Sequence, residues 1–209
     1  MTTAGLSFRP AQAADVDAAV PLIYSSGPAA FDYVFALPRQ GDAQAFLRQA
    51  FVDGNGEFGW RNHVVGELDG VVGVAGAGYS GATKWPFTLA AARQILRHYG
   101  WRHASGVIMR GLRVESVIPP PSGAMYYLGH LGVSPALRSQ GIGAALVAHL
   151  LSIRPAPTDG PVVLDVATSN PDAQRLYERL GFVVTAERSS SLANTQTKVP
   201  DHRRMQLRR

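Results

Sequence analysis

Residues 131–144 read Leu131-Gly132-Val133-Ser134-Pro135-Ala136-Leu137-Arg138-Ser139-Gln140-Gly141-Ile142-Gly143-Ala144. An apolar run ends at Val133, a short loop carries a proline and an arginine, and two glycines open a helix. Ile142, Leu146, His149 and Leu150 then recur at helical spacing. A strand, a glycine-bearing bend and a helix start bring successive backbone N–H groups to one place, at the positive end of a helix dipole. That is a site for an anion such as a pyrophosphate. The glycines let backbone approach the ligand closely. The stretch is not a Walker loop, because no Lys-Ser/Thr pair comes after Gly143. It is not a dinucleotide fingerprint either: the third glycine would fall at Leu146, and Asp165 sits inside an apolar strand.

Upstream of this stretch, Met125–Val133 is a strand. Before it, His63–Leu68, Asp69-Gly70 and Val71–Tyr79 form a hairpin, with Asp-Gly supplying the positive φ values of a type I′ turn. Leu6–Arg9 is a short strand ending at Pro10. Asp15 starts a helix carrying Val16, Ala19, Val20 and Ile23, which breaks at Ser25-Ser26-Gly27-Pro28. Asp42 starts another, with Ala45, Phe46 and Gln49, ended near Gly54. Between the hairpin and the Met125 strand, residues 82–121 read as an inserted helical pair, Pro86–Tyr99 and His103–Arg113, stopped by Pro119-Pro120-Pro121. Downstream come a strand at Val162–Ala167, a helix at Asn170–Leu180 ended by Gly181, and closing strands at Phe182–Ala186 and Arg204–Leu207. The order is β-α-α-β-β-(insert)-β-α-β-α-β-β, an α/β chain with a mixed sheet. The β-α-β units over 125–167 predict a locally parallel pair joined by a right-handed crossover.

The second informative motif is Asn170-Pro171-Asp172-Ala173-Gln174-Arg175-Leu176-Tyr177-Glu178-Arg179-Leu180-Gly181-Phe182. Asn at the cap, Pro at the first helical position and Asp in the first turn make a strong helix start. Positions 170, 173/174 and 177 share one face, so a capping Asn and a Tyr can address one ligand.

Together the two motifs resemble the GNAT acetyltransferases. Arg138, Gly141 and Gly143 fit that family's Arg/Gln-x-x-Gly-x-Gly/Ala loop, and Leu131, Val133 and Pro135 fit the Leu-x-Val-x-Pro before it. The 170–182 stretch is similar to its Asn-x-x-Ala-x-x-x-Tyr-x-x-x-Gly-Phe. The resemblance is close over 125–187 and holds in element order over 1–80 and 202–208; the insert departs from it. It implies a mixed, mostly antiparallel twisted sheet, with a central parallel strand pair splayed at the cofactor site and helices on its flanks. It also implies a single acetyltransferase domain over 1–209, with acetyl-CoA (coenzyme A) as cofactor. The activity implied is transfer of an acetyl group to a primary amine of a small molecule or peptide, by direct attack in a ternary complex.

Carried over by position, the backbone of Leu131, Gly132 and Val133 would hold the pantetheine arm. The N–H groups of Arg138, Ser139, Gln140, Gly141, Ile142, Gly143 and Ala144 would hold the pyrophosphate, and Asn170 and Ala173 would face the cofactor. Tyr177 would donate to the departing sulfur, since a phenol of pKa about 10 is protonated at neutral pH. The base is open. Relatives that place a Glu on the strand would have it at Tyr127. His130 has the better reference pKa, about 6.5. Strand parity sets His130 opposite Tyr127, Leu131 and Val133, but the resemblance implies a bulge in this strand, which would shift that parity. Deprotonation through water is the third route. The other class of reading is a non-catalytic module that holds coenzyme A and docks a partner through the insert.

The rest bounds partners. No Cys excludes disulfides, cysteine nucleophiles and thiolate metal sites. His63, His98, His103 and His149 lack ligand spacing, so no metal is expected. No signal peptide or spanning run is visible, and the expectation is a cytoplasmic protein without a membrane partner. The 20 basic and 15 acidic residues give +5. Arg203, Arg204, Arg208 and Arg209 cluster at the C-terminus, with Arg203 and Arg204 expected to flank a solvated edge strand. No basic face with aromatic interleaving predicts nucleic-acid binding. A homodimer is left open. The resemblance implies an acceptor pocket built from residues 23–35, the insert and residues 188–201. Tyr24, Phe31, Tyr33 and Phe35 with the single acid Asp32 favour an amphipathic amine over a polyamine.

Overall fold

Asp69 and Gly70 take φ of 52° and 78°, as a two-residue hairpin turn requires, and join β2 (His63–Leu68) to β3 (Val71–Ser80). The computed structural model describes residues 5–38, 41–156 and 159–208. The sheet grows outward from this hairpin. On one side β1 (Leu6–Pro10) pairs with β2. On the other, β4 (Tyr126–Val133) pairs with β3, then β5 (Val162–Ala167) with β4. Next comes β7 (His202–Leu207), and β6 (Phe182–Arg188) forms the far edge. Among the described strands only the β4–β5 contact is parallel, as the crossover predicted. The last two strands correct one expectation: β7 lies between β5 and β6, so Arg203 and Arg204 are on an interior strand. Arg204 is buried and pairs with Asp165 at 2.6 Å, while Arg203 pairs with Glu187 at 2.8 Å. The buried Asp165 carboxylate is thus neutralised by an arginine of the neighbouring strand. Arg209, counted in the C-terminal cluster, lies outside the described residues.

Helices cover both faces. Alternation along the hairpin sends Val64 and Val74 to one core and Val65 and Ala75 to the other. The second core is capped by α1 (Val16–Ser25), α2 (Pro28–Phe35), α3 (Ala43–Asp53) and α4 (Lys84–Val114). The first is capped by α5 (Ile142–Ser152) and α6 (Pro171–Arg179). Asp42 caps α3 by accepting from the Ala45 N–H at 2.9 Å, and Gly54 ends it at φ 80°. Asp15 precedes α1, but its carboxylate accepts from the Gln12 N–H and pairs with Arg9 instead of capping the helix.

Two helical features differ from the sequence reading. Residues 28–35 form α2, which was not expected: Ser25-Ser26-Gly27-Pro28 does end α1, but Pro28 then stands at the first position of a new helix, where its missing N–H costs nothing. Phe31, Tyr33 and Phe35 are consequently buried in the core rather than lining an open acceptor pocket, and Asp32 accepts from the Tyr24 hydroxyl at 2.9 Å. The insert is α4, broken at Gly100 (φ 65°, ψ 169°) into the expected pair. Its inner side is fixed to α2 and α3. The Tyr99 hydroxyl donates to the Phe35 carbonyl at 2.6 Å, the Arg110 guanidinium to that of Val34 at 2.8 Å, and Gln94 to Asp53 and the Asn55 carbonyl.

Candidate active site

β4 and β5 pair only at Tyr126–Val162 and Tyr127–Val163. Beyond that β5 runs along β7, and the sheet opens. The Ser134 N–H donates to the Gly73 carbonyl of β3 at 2.8 Å. By alternation the Gly132 backbone also faces β3, and that of Leu131 and Val133 faces the opening. Gly132 itself is a close-approach residue: a Cβ there would lie 2.1 Å from the Leu22 carbonyl oxygen of α1. Residues 134–141 leave the strand end, with positive φ at Ser139 (62°) and Gly141 (81°). The first hydrogen bond of α5 runs from Ala145 to Gly141, so the N–H groups of Ile142, Gly143 and Ala144 have no partner in the helix. Gly143 packs on α6, where a Cβ would meet Leu176 at 2.9 Å, whereas a Cβ on Gly141 would meet nothing within 4 Å.

A splayed strand pair with outward backbone groups, ending in a cradle of free N–H groups at a helix start, fits a pantetheine arm leading into a pyrophosphate. Two details refine the sequence assignment. The Val133 carbonyl already accepts from Arg138 Nε at 3.2 Å, and the Ile142 side chain is buried, so Ile142 offers only its backbone. On α6, Asn170 Oδ1 accepts from the Ala173 N–H at 3.2 Å, which leaves its amide N–H₂ free to donate. Tyr177 is buried in the same apolar cluster as Leu128, Leu164 and Ile142, with its ring edge-on to Phe182. Burial pushes its hydroxyl up to about 12, so it carries its proton at neutral pH. Among the described residues that hydroxyl has no hydrogen-bond partner, and burial alone shifts it.

The bulge the resemblance implied is present, and it falls on His130. Ala75 faces Gly132 while Ala77 faces Gly129, so His130 and Leu131 together oppose Gly76. His130 takes φ 57°, and its ring turns toward Phe31, Phe58 and His63. His63 Nδ1 lies 2.9 Å from the Gly59 carbonyl, which can only accept, so that nitrogen carries the proton. Burial, reinforced by the neighbouring His130, holds His63 down at about 3, so it is neutral and its Nε2 is an acceptor. His130 Nδ1, 3.1 Å away, must therefore be the donor. His130 Nε2 faces Glu57 Oε1 at 3.5 Å. Burial pushes the Glu57 carboxyl up, but His130 and the Tyr79 hydroxyl, which donates at 2.8 Å, outweigh it and leave Glu57 an anion below the usual range. Glu57 is half-exposed and His130 nearly buried, so the pair meets solvent through the carboxylate.

Glu57, His63 and Tyr79 were not singled out in the sequence. Glu57 lies in the loop before β2, and no local pattern marks it. Tyr127 is buried against Asp165, Arg204 and Tyr79. Burial and the Asp165 carboxylate push its hydroxyl well above 10, which disfavours it as a proton acceptor.

The acetyltransferase (GNAT) family matches residues 57–182, more than half of the chain, and the protein belongs to that family. It is accordingly an acetyltransferase that uses acetyl-CoA. No curated protein is close enough in sequence to count as a match. Solved structures share the fold. An N-acetyltransferase from Staphylococcus aureus Mu50 is 15% identical, with a TM-score of 0.62 over 96% of this chain and 100% of that one. The ribosomal-protein-S18-alanine N-acetyltransferase from Escherichia coli is 17% identical, with a TM-score of 0.54 over 97% and 92%. The acetyltransferase yncA from Salmonella typhimurium, solved with acetyl-CoA, is 18% identical, with a TM-score of 0.51 over 97% and 93%.

Proposed function

We propose that the protein acetylates the primary amine of a small, amphipathic molecule by direct attack in a ternary complex, with the Glu57–His130 pair receiving the amine proton. Acetyl-CoA supplies the acetyl group as a thioester activated toward an amine. The chain's own residues do the rest. The outward backbone of Leu131 and Val133 orients the arm, and the N–H groups from Ser139 to Ala144 hold the diphosphate. A main-chain N–H at the bulge polarises the carbonyl as it gains negative charge. The attacking nitrogen sheds its proton to the Glu57 carboxylate, the exposed end of the pair, which His130 Nε2 faces at 3.5 Å. Tyr177 gives its proton to the leaving sulfur and regains one from solvent.

The observation that carries this reading is the bulge. It rotates His130 out of strand parity and sets it one residue before Leu131, with Nε2 toward the Glu57 carboxylate. The partly buried Phe58 ring lies 5.2 Å from that of His130, which favours an acceptor with an apolar body. Glu57 is the acid beside the site, whereas a polyamine would want several.

The test is thiol release from acetyl-CoA with a panel of aromatic amines, amino acids, peptide N-termini and spermidine. Aromatic amines are expected to turn over fastest; a preference for spermidine would refute the pocket assignment. His130→Asn keeps a residue that tolerates positive φ. It should lower kcat about a hundred-fold or more, with acetyl-CoA affinity unchanged. An unchanged kcat would remove His130 from the proton path.

A further inference from the structure

The outer face of α4 has no partner in the fold. Trp85, Leu89, Ala92 and Leu96 are spaced four, three and four apart, so they form one line along the first half of the helix. Trp101, Ile108 and Leu112 do the same along the second half, with Met109 beside them. These are among the most exposed apolar side chains in the structure: Trp85 78%, Trp101 77%, Leu89 75%, Leu112 54%, Leu96 52%. The opposite side of each half is the one fixed to α2 and α3, so the line points away from the core.

The charge on this element is as one-sided as its hydrophobicity. Six of the chain's 20 basic residues and none of its 15 acidic ones lie between Lys84 and Val114, which leaves the remainder of the protein at −1. The positive excess thus resides here rather than at the C-terminus. Arg110 is turned inward onto α2, but Lys84, Arg93, Arg97, Arg102 and Arg113 are exposed, and none is in a salt bridge among the described residues. Arg93 and Arg97 flank the first apolar line; Arg102 and Arg113 flank the second.

We infer that the outer face of α4 docks on an anionic lipid bilayer. The charge selects this occupant. A second copy of the chain would bring two acid-free, sixfold-basic elements together, and a phosphate backbone offers nothing to the two exposed tryptophans or the leucines. A bilayer with acidic headgroups matches both properties. The apolar line enters the headgroup–acyl boundary, and the two tryptophans, one at the start of each half, sit at headgroup depth. The arginines lay their stems along the apolar line and reach the lipid phosphates. The expectation of no membrane partner came from the lack of a spanning segment, and among the described residues no helix is long and apolar enough to cross a membrane. A helix that lies on the surface needs none. This inference is independent of the acceptor's identity.

The test is co-sedimentation of the full chain with vesicles of phosphatidylcholine alone and of phosphatidylcholine with about one quarter phosphatidylglycerol, at moderate salt. The chain should sediment with the anionic vesicles only, and high salt should release it. Each exposed cation removed should weaken binding about five-fold, so Arg97→Gln/Arg102→Gln/Arg113→Gln should lose roughly a hundred-fold. Trp85→Ser/Trp101→Ser should lose at least ten-fold. Both variants should keep the wild-type melting temperature and its acetyl-CoA response, which separates loss of docking from loss of fold. The inference is overturned if the chain ignores anionic vesicles or binds neutral ones equally well. It is also overturned if either variant binds as wild type does, or if the protein is a dimer that the tryptophan variant makes monomeric.

Discussion

Acidification should destabilise the protein through His63 before any carboxylate is involved. In the folded chain His63 stays neutral down to about 3, held there by burial and by His130, whereas in the unfolded chain it titrates at about 6.5. The contribution is therefore complete above 6.5 and is lost as pH falls toward 3. With those two values, the unfolded state gains about 2 kcal/mol on the folded state between pH 7.5 and pH 5. For a chain of this length that lowers Tm by roughly 4–8 °C. His202, buried and shifted the same way, adds to the slope, so a control is needed. His63→Gln supplies it: this variant is less stable at pH 7.5, having lost the bond to Gly59, but its stability should change with pH by about 2 kcal/mol less than wild type. Urea unfolding at the two pH values reads the difference. Equal pH dependence in the two proteins would mean that His63 is not held neutral, and the proton assignment along His63–His130–Glu57 would fall with it.

Three further predictions concern the cofactor cleft and the sheet. Acetyl-CoA at a hundred times its Kd should raise stability by about 2.7 kcal/mol, a Tm increase of roughly 5–11 °C, while ATP and NAD leave Tm unchanged. Tyr177→Phe should lower kcat on the order of a hundred-fold and leave acetyl-CoA binding intact; unaltered turnover would exclude the tyrosine as the acid. Arg204→Met strands the buried Asp165 carboxylate and should cost about 3–5 kcal/mol in urea unfolding, most of it regained in Arg204→Met/Asp165→Leu.

What the sequence discloses is what is decided locally. The Asp69-Gly70 turn, the caps at Asp42 and Asn170, and the glycines at 141 and 143 act within a few residues, and each is found where it was expected. The strand–loop–helix at 131–144 is legible for the same reason. Residues brought together by folding are not. His63 and His130 are 67 positions apart, and Glu57 reaches the pair from a third segment. Arg204 looked like an edge-strand residue because its partner lies 39 positions away, on a neighbouring strand. The α2 helix was missed through an ambiguity in one residue: Pro28 both closes off α1 and opens α2. The bulge at His130 is intermediate, since its existence came with the resemblance while its position came only from the register of β3 on β4.

The two sides of α4 answer to different demands. Its inner residues brace the turn that carries Glu57: Gln94 holds the Asn55 carbonyl, Ala90 leaves no room for a Cβ on Gly56, and Phe87 lies edge-on to Tyr79. Trimming the helix away would loosen the proton acceptor along with it. Its outer residues touch nothing that the chemistry needs. One helix therefore carries two independent texts, and the outer one can be rewritten to send the same catalyst to a different surface.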